Sequence, residues 1–459
     1  MSESARHAAV PQSEGDVNHS PLRERWQSEH LDTETRALLE EDARYFLHQS
    51  LSTPCLNVLA RCEGSHLIDA QGRRYLDFHG NNVHQVGFGH PRVRAAIERA
   101  LNELPFCTRR YTNRYAIALA RRLAELAPGN LSRCLFAPGG AEAISMAVKL
   151  ARIATGRFKT ISMWDSFHGA TLDAISLGGE FLFRNNIGPL LPGAEHVPPP
   201  EPQRCPFRCG ASCTLQCADY VEYVLEREGD VAAVVAETVR STGTIPPADY
   251  WRRLRALCDR HGALLILDEI PHGLGRTGSI FTCQQYGIVP DMLVIGKGLG
   301  GGSLPIAALI AREDLNIAAD RAIGHFTHEK NPVLCAAALA TLEVIESEQL
   351  AERAKTLGAR FLGRLKALQT RHAIIHDARG MGLLAALVLK RPNGSPANAE
   401  AEQILYAALT RGLSFKTAMG NVILLTPPLT IAEEELDSAV GILDDCFSEL
   451  NSVEASKNG

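Results

Sequence analysis

The segment MLVIGKGLGGG, residues 292–302, places a lysine directly after a short apolar run and surrounds it with glycines. The run from Met292 to Ile295 is typical of a strand that is buried on both faces of a parallel sheet. A lysine in solvent has no need of glycine neighbours, whereas a lysine that must approach a ligand closely does. Lys297 is therefore a candidate ligand-binding or catalytic residue at the end of a buried strand.

Similar apolar runs, separated by stretches with helical periodicity, recur from Arg92 onward. They are RCLFA, FKTISM, VAAVVAE, ALLILDE and MLVIG. Strands of this kind predict an α/β fold with a mainly parallel sheet flanked by helices. The last third combines long helical stretches with the strand-like runs GMGLLAALVLK and NVILLTPPL, which predicts a smaller α+β domain.

Ahead of these runs, TETRALLEEDARYFLHQS predicts a helix and HLIDAQGRRYLDF predicts a hairpin. We therefore predict four parts: a disordered tail at 1–30, an N-terminal segment at 31–90 that joins the small domain, a large cofactor-binding domain at 91–330, and a small C-terminal domain at 331–459.

Charge and composition bear on the partners and the compartment. The net charge of −5 gives no electrostatic reason to expect nucleic acid or an anionic membrane as a partner. No apolar run is long enough to span a bilayer, and the polar N-terminus lacks the apolar core of a secretory signal. We expect a cytoplasmic protein.

Twelve cysteines are present, most of them single residues inside apolar patterns, as expected for free thiols in a reducing compartment. CPFRCGASCTLQC differs, because it spaces Cys205, Cys209, Cys213 and Cys217 evenly. The usual zinc spacings place two ligands close together, twice, and this pattern does not match them. We favour a loop insertion that carries thiols, with a metal site as the alternative.

Two further segments place polar groups where parallel sheets usually bind ligands. In LFAPGGAEAISMAVKLAR, residues 135–152, a glycine turn opens a helix, and the free N–H groups at a helix start can bind phosphate. In ALLILDEIPHGLGRTG, residues 263–278, a buried run delivers Asp268 and Glu269 to the end of a strand. Each pattern alone also has a structural explanation: a glycine turn starts many helices, and an acidic pair can cap a helix or form an ion pair.

The glycines of GKGLGG formally match the dinucleotide-binding pattern G-x-G-x-x-G. That pattern has to open a helix, but here it continues into GSLPIAALIA, whose proline and apolar run predict another strand. The segment is not a Walker loop either, because glycine rather than Ser or Thr follows the lysine. We therefore favour a different cofactor.

Together, the glycine turn, Asp268 and Lys297 provide the groups that pyridoxal 5′-phosphate requires. The turn can bind the phosphate, the carboxylate can pair with the protonated pyridine nitrogen, and the lysine can bind the cofactor covalently. The sequence therefore predicts a pyridoxal-phosphate enzyme in which Lys297 and Asp268 are catalytic.

With these motifs in this order, the chain resembles the class III aminotransferase family of fold type I pyridoxal-phosphate enzymes, from about Arg61 to Leu450. The pair DEIPHGLGRTG and PDMLVIGKGLGGG carries the resemblance. It implies the α/β large domain and smaller α+β domain described above, a small-molecule amine substrate, and a homodimer with shared active sites.

The resemblance also implies which residues hold the cofactor. Lys297 is expected to be the Schiff-base lysine and Asp268 the partner of the pyridine nitrogen. Gly140 and Ala141 are expected to hold the phosphate, Phe167 and Ile270 to flank the ring, Thr327 to reach the phosphate of the neighbouring subunit, and Glu237 and His168 to lie near the cofactor.

Two departures from the family pattern bear on the reaction. Members that use 2-oxoglutarate commonly carry an arginine just before a C-terminal PPL, whereas this chain has NVILLTPPL, with leucines at that place. Without such a bidentate clamp, ordinary exchange with a keto acid is not expected. The segments HGNNVHQVGFG and THEKNP are similar to those of the branch that acts as an ammonia-lyase on (R)-1-hydroxy-2-aminoethylphosphonate.

An anionic substrate of this kind needs cationic or polar partners. Candidate substrate contacts are Asn82, Arg109 with its neighbour Arg110, Lys330 and Lys416, although each cation could equally be a solvated surface charge. Two other functions remain open: an ω-aminotransferase that transfers an amino group from a primary amine to a keto acid, and a catalytically silent homologue.

Overall fold

The computed structural model describes residues 19–209 and 213–458. It contains fifteen strands in this part of the chain. They are β1 (Leu59–Glu63), β2 (His66–Asp69), β3 (Arg74–Asp77), β4 (Leu131–Ala137), β5 (Lys159–Met163), β6 (Ala194–Val197), β7 (Val231–Glu237), β8 (Leu264–Asp268), β9 (Met292–Ile295), β10 (Ala307–Arg312), β11 (Ile375–Met381), β12 (Leu384–Leu389), β13 (Leu413–Ser414), β14 (Lys416–Ala418) and β15 (Val422–Leu425).

The α-helices of the same residues lie mostly between these strands. They are α1 (Pro21–His30), α2 (Thr33–Tyr45), α3 (Pro91–Glu103), α4 (Arg114–Leu126), α5 (Gly140–Thr155), α6 (Leu172–Leu177), α7 (Phe181–Arg184), α8 (Gln216–Glu228), α9 (Tyr250–His261), α10 (Pro332–Ser347), α11 (Leu350–Arg371), α12 (Asn398–Thr410) and α13 (Glu433–Asn458).

A seven-stranded sheet in the order β4-β10-β9-β8-β7-β5-β6 forms the centre of the molecule. Only β10 runs against its neighbours, so the sheet is mainly parallel, as predicted. Every residue of β7 and β9 is buried, because helices cover both faces of the sheet. Each apolar run that predicted a strand forms one, whereas the edge strand β6 was not predicted.

Two smaller four-stranded sheets lie beside this one, in the orders β1-β2-β3-β13 and β11-β12-β15-β14. The hairpin β2–β3 confirms the prediction for HLIDAQGRRYLDF. The short strand β13 pairs in parallel with β3, so the N-terminal segment is joined to the C-terminal part of the chain. We keep the division at 91–330 and 331–459 as a proposal.

The prediction of a disordered tail at 1–30 is wrong for its last ten residues, which form α1. Ser20 caps this helix by accepting a hydrogen bond from the Arg23 N–H at 3.0 Å, and Pro21 occupies its first position. Trp26 is buried and donates to Thr410 Oγ1 at 3.1 Å, which fixes the helix to α12. Residues 1–18 lie outside the described part of the chain.

None of the helices in the described residues is both long enough and apolar enough to cross a membrane.

Helix α11 approaches the turn between β11 and β12 so closely that only glycine fits at the contact. A Cβ on Gly358 would lie 2.0 Å from the backbone oxygen of Gly382. Gly363, on the same helix, is exposed and has no neighbour within 4 Å of such an atom.

We predict opposite effects for alanine at these two positions. Gly358→Ala should lower the free energy of unfolding by about 1–3 kcal/mol, because the new methyl group overpacks a backbone contact. Gly363→Ala should raise it by roughly 0.5–1 kcal/mol through helix propensity. Denaturant unfolding of the two variants tests this, and equal effects would show that the contact with Gly382 does not constrain α11.

Candidate active site

A cavity of about 460 Å³ opens at the carboxyl ends of the parallel strands. The turns after β4, β5, β7, β8 and β9 all contribute to its wall. This is the edge at which open α/β sheets bind ligands. All predicted cofactor-binding residues except Thr327 line it: Gly140, Ala141, Phe167, His168, Glu237, Asp268, Ile270 and Lys297.

Lys297 follows β9 in a strained turn that presents its side chain to the cavity. Its φ of 45° lies in the left-handed region, which costs a non-glycine residue of order 1 kcal/mol or more and is often found at functional sites. The next residue packs tightly against a buried side chain: a Cβ on Gly298 would lie 1.8 Å from Gln85 Oε1, so any larger residue would require Gln85 to move. The glycines around Lys297 therefore allow close packing rather than flexibility alone.

Asp268 ends β8 with only 2 % of its surface exposed. One carboxylate oxygen accepts from the Ile270 N–H at 3.0 Å, and the other lies 2.8 Å from His168 Nδ1. Because an ionised carboxylate only accepts, His168 carries its proton on Nδ1. Each oxygen thus has a donor, which offsets the cost of burying the charge.

His168 is itself held from behind by serines. Its Nε2 lies 3.4 Å from Ser162 Oγ, which lies 3.1 Å from Ser166 Oγ. The imidazole is completely buried, so it is a fixed support for Asp268 rather than a group exposed to solvent. The sequence placed His168 near the cofactor but gave no sign of this contact across a hundred residues of chain.

Helix α5 begins at the cavity with no side-chain cap on its first turn. Gly139 and Gly140 keep this end open: a Cβ on Gly140 would lie 2.7 Å from the Ile270 side chain. The first N–H groups of the helix, together with the positive end of its dipole, could bind a phosphate group here.

Two apolar side chains flank the space between the phosphate site and Asp268. Phe167 packs against Phe183 with ring centroids 4.6 Å apart, which fixes its plane. Ile270 is 8 % exposed. A flat aromatic ring fits between such walls.

Glu237 ends β7 and pairs directly with Asp268 in the sheet register. It lies 3.5 Å from Arg240 Nε, and both side chains are almost fully buried. Ser241 also lines the cavity. Sequence analysis missed Arg240 and Ser241, although their position directly after a buried strand is the same signal that identified Asp268.

The segment that follows β3 packs against the turn of Lys297. Gly80 to Asn82 form a 3-10 turn in which Asn81 and Asn82 have positive φ, and Val83 lines the cavity. Asn82 Oδ1 is buried without a hydrogen-bond partner among the described residues. Asn82, a predicted substrate contact, therefore lies beside the wall of the cavity.

Burial shifts the pKa values of several ionisable side chains near this segment. It raises the pKa of Asp77 to about 6 and lowers the pKa of His84 to about 3. Burial also lowers the pKa of His79, and the charges of Lys416 and Lys297 add to this effect. Lys416 is 8 % exposed on β14, so this predicted substrate contact lies inside the protein on the same side as Lys297.

The structure places Arg109, Thr327 and Lys330 outside the cavity within one chain. All three are exposed. The two segments that carry them pack together: Asn331 donates to the Pro105 carbonyl at 3.3 Å, and Asn113 donates to the Lys330 carbonyl at 2.9 Å.

The evenly spaced cysteines are free thiols, with Cys217 buried and the other three half-buried. Burial raises the pKa of Cys217 to about 12. Among residues 19–209 and 213–458, three or more possible metal ligands converge at Glu222, Glu226 and His261 rather than at these thiols. The absence of a metal site stays a prediction.

Comparisons with known proteins agree with this geometry. The family model for class III aminotransferases matches residues 48–447. The (R)-1-hydroxy-2-aminoethylphosphonate ammonia-lyase of Vibrio splendidus (strain 12B01) is 47% identical over 456 residues, which cover 95% of each chain.

Solved structures give the same result. A Bacillus anthracis aminotransferase superposes with a TM-score of 0.85 at 30% identity, covering 91% of this chain and all of the other. An amine transaminase from an uncultivated Pseudomonas species, solved with pyridoxal phosphate bound, has a TM-score of 0.81 at 32% identity and covers 88% of this chain and 98% of its own. This chain belongs to the class III aminotransferase family.

The side chains of the cavity fit pyridoxal phosphate, the cofactor that the family implies. Lys297 offers an amine, Asp268 a buried carboxylate, and α5 an uncapped helix start. Phe167 and Ile270 supply apolar walls for the pyridine ring of the cofactor. These are the donors, acceptors and apolar surfaces that the cofactor needs, and they converge on one cavity.

We predict that Lys297→Ala removes covalent attachment of the cofactor. The protein is incubated with pyridoxal phosphate, reduced with borohydride and denatured. The wild-type protein should keep the cofactor covalently bound through this treatment, whereas the variant should lose it. Turnover should fall by about 10³-fold or more, since the covalent group and proton carrier is lost. Lys366→Ala, at an exposed position on α11, is the control. Label retained by the Lys297 variant would contradict the assignment.

Proposed function

We propose that this protein is a pyridoxal-phosphate-dependent ammonia-lyase that converts (R)-1-hydroxy-2-aminoethylphosphonate to phosphonoacetaldehyde and ammonia. The observation that carries the proposal is that leucines on β15, rather than an arginine, occupy the position of the family's carboxylate clamp, in a chain that keeps Lys297 and Asp268. The similarity to the Vibrio enzyme supports the choice of substrate.

The clamp position is occupied by apolar side chains. Leu424 and Leu425, where related transaminases commonly carry an arginine, are fully buried on β15. A leucine cannot donate hydrogen bonds to a carboxylate, so a keto acid would lose its bidentate partner here. The cavity therefore favours a reaction that needs no keto acid.

The residues of the chain can perform an elimination. Pyridoxal phosphate, when bound, supplies an electron sink for the charge that remains when a proton leaves the substrate carbon. Lys297 takes that proton from the carbon that carries nitrogen, since it supplies the one amine among the described lining residues. Asp268, held by His168, keeps its negative charge opposite the sink.

The products follow from the position of the hydroxyl group. The C–O bond on the neighbouring carbon breaks and hydroxide leaves as water once it is protonated. The released enamine then takes up one water and gives phosphonoacetaldehyde and ammonia. The water balance is zero, and no keto acid is consumed.

An ω-aminotransferase is the second candidate, because both solved structures compared above are described as transaminases. The two reactions share Lys297 and Asp268 and differ in whether a keto acid is needed. A catalytically silent homologue is disfavoured, because it would not need Lys297, Asp268 and the open helix start together.

We also propose that two copies of the chain share their active sites. The exposed segments with Arg109, Thr327 and Lys330 lie near exposed apolar side chains, which a second subunit would cover. These side chains are Leu101, Leu104, Phe106, Tyr111 and Ile117.

The proposed reaction predicts sustained ammonia release without a keto acid. The holoenzyme is incubated with (R)-1-hydroxy-2-aminoethylphosphonate, and ammonia and phosphonoacetaldehyde are measured over many turnovers. Equal amounts of both products, unaffected by added pyruvate, are expected, because the cofactor is regenerated within each cycle. Lys297→Ala is the inactive control. Turnover that requires pyruvate and yields alanine would instead identify a transaminase.

The shared site predicts complementation between two inactive variants. Thr327→Asp should block phosphate binding in the neighbouring subunit through charge repulsion. When this variant and Lys297→Ala are unfolded together and refolded, mixed dimers should carry one intact site. About a quarter of wild-type activity is then expected from random pairing of equal amounts, because half of the dimers are mixed and half of their sites are intact. No recovery, with dimers present, would contradict sharing through Thr327.

A further inference from the structure

The loop that follows β7 covers the strand position from which the carboxylate clamp is missing. A Cβ on Gly243 would lie 2.4 Å from Ala386 Cβ and 3.6 Å from Leu424 Cδ1. Ala386 and Leu424 are direct partners in the β12–β15 register, so the loop rests on this row of the small sheet. Gly243 has a φ of +72°, which lets the chain turn there.

Arg240 lies in this loop with 2 % of its surface exposed. Its Nε and Nη1 have no hydrogen-bond partner among the described residues. Glu237 is 3.5 Å from Nε, close enough to balance charge but not to form a good hydrogen bond. Buried cationic N–H groups without acceptors are costly, which points to an acceptor that arrives from outside the chain.

Arg240 lies beside the cavity in sequence and is not itself one of the residues that line it. Glu237 and Ser241, which bracket Arg240 in sequence, both line the cavity. Arg240 follows β7, whereas the uncapped start of α5, at which we place the cofactor phosphate, follows β4, and β8, β9 and β10 lie between these two strands in the sheet. An anion at this end would belong to the substrate.

A second cation lies on the same row of the small sheet. Lys416 pairs directly with Leu424 in the β14–β15 register. Directly opposed residues of an antiparallel pair point to the same face, so Lys416, Leu424 and Ala386 share the face on which the loop rests. A second cation on the face that the Arg240 loop covers suits a dianion better than a carboxylate.

Other charges surround this pair. Arg379 donates to Glu201 at 3.2 Å, and Arg204 donates to Asn421 at 3.0 Å. Burial lowers the pKa of Arg204, and the charges of Arg379 and Arg240 lower it further, whereas Glu201 and Asp165 raise it. Arg240 therefore lies within electrostatic reach of Arg204.

We propose that Arg240, with Lys416, binds the phosphonate group of the substrate in place of the missing clamp. The inference rests on the proposed function and extends it to substrate class: amines that carry a doubly charged phosphonate or phosphate two carbons from nitrogen. Arg240 selects the substrate and takes no part in proton transfer.

The test compares two amines that differ in the anionic group. The probes are 2-aminoethylphosphonate, which lacks the leaving hydroxyl, and n-propylamine, and their Kd values are measured by titrating the cofactor absorbance of the holoenzyme. Wild-type protein should prefer the phosphonate by about 100-fold, as expected for charge-assisted contacts from two cations. Arg240→Gln should weaken phosphonate binding by about 30-fold and leave propylamine within about 3-fold.

Matched variants separate recognition from folding. Arg255→Gln removes a partly buried arginine that pairs with Asp291 outside the cavity and should leave both Kd values unchanged. Arg240→Lys keeps the charge and should restore part of the preference. An equal loss for both amines in Arg240→Gln, or no change in either, would overturn the assignment of Arg240.

The same measurements distinguish failure of the inference from failure of the proposed reaction. Suppose that the wild-type protein prefers the aminophosphonate, that Arg240→Gln abolishes this preference, and that the hydroxylated compound releases no ammonia. These results would refute the lyase and support the anion site. If Arg240→Gln instead leaves both the rate of ammonia release and the KM unchanged, the lyase proposal is supported and the anion site at Arg240 is refuted.

Discussion

A carboxylate is buried at the end of a strand in the middle of the sheet, and the surrounding site is arranged around that charge. Asp268 has 2 % of its surface exposed, so each oxygen needs a donor. His168 and the Ile270 N–H supply them. The serines that contact His168 and the turn that carries Ile270 therefore both serve to keep a donor on each oxygen of Asp268. Ile270 in turn packs against Gly140 at the start of α5, where a Cβ would lie 2.7 Å from its Cδ1 and would require Ile270 to shift.

Adjacent parallel strands of the central sheet end at the same height, and this brings the charged residues at their ends together in the cavity. Glu237 and Asp268 are direct partners, and Asp268 pairs with Val294 on β9. Lys297 lies three residues after Val294 and has a left-handed backbone conformation. Its neighbour Gly298 packs against Gln85. Register sets the spacing of the three charged groups, and local strain sets the direction of the lysine.

The sequence was sufficient for the features that depend on local pattern. Buried strands, the glycine turn before α5 and the polar residues at strand ends all have short-range signals, and they predicted the central sheet and most of the cavity wall. The edge strand β6 and helix α1 were missed because their stability comes from distant partners, such as the contact between Trp26 and Thr410. Arg109, Thr327 and Lys330 are exposed in a single chain, so the roles predicted for them depend on the second subunit that we propose.

The role that we propose for Arg240 is harder to predict from sequence than the roles of Lys297 and Asp268. Its position in sequence, three residues after β7, indicates the active edge but not the row of the small sheet on which its loop rests. That row is defined by contacts of Gly243 with Ala386 and Leu424, more than a hundred residues away. The anion site that we propose at Arg240 follows β7, whereas Asp268 ends β8 and Lys297 follows β9. Under that proposal, the group that selects the substrate and the groups that carry the covalent chemistry belong to different strands, so a substitution in the loop after β7 can change substrate choice while Lys297 and Asp268 stay in place.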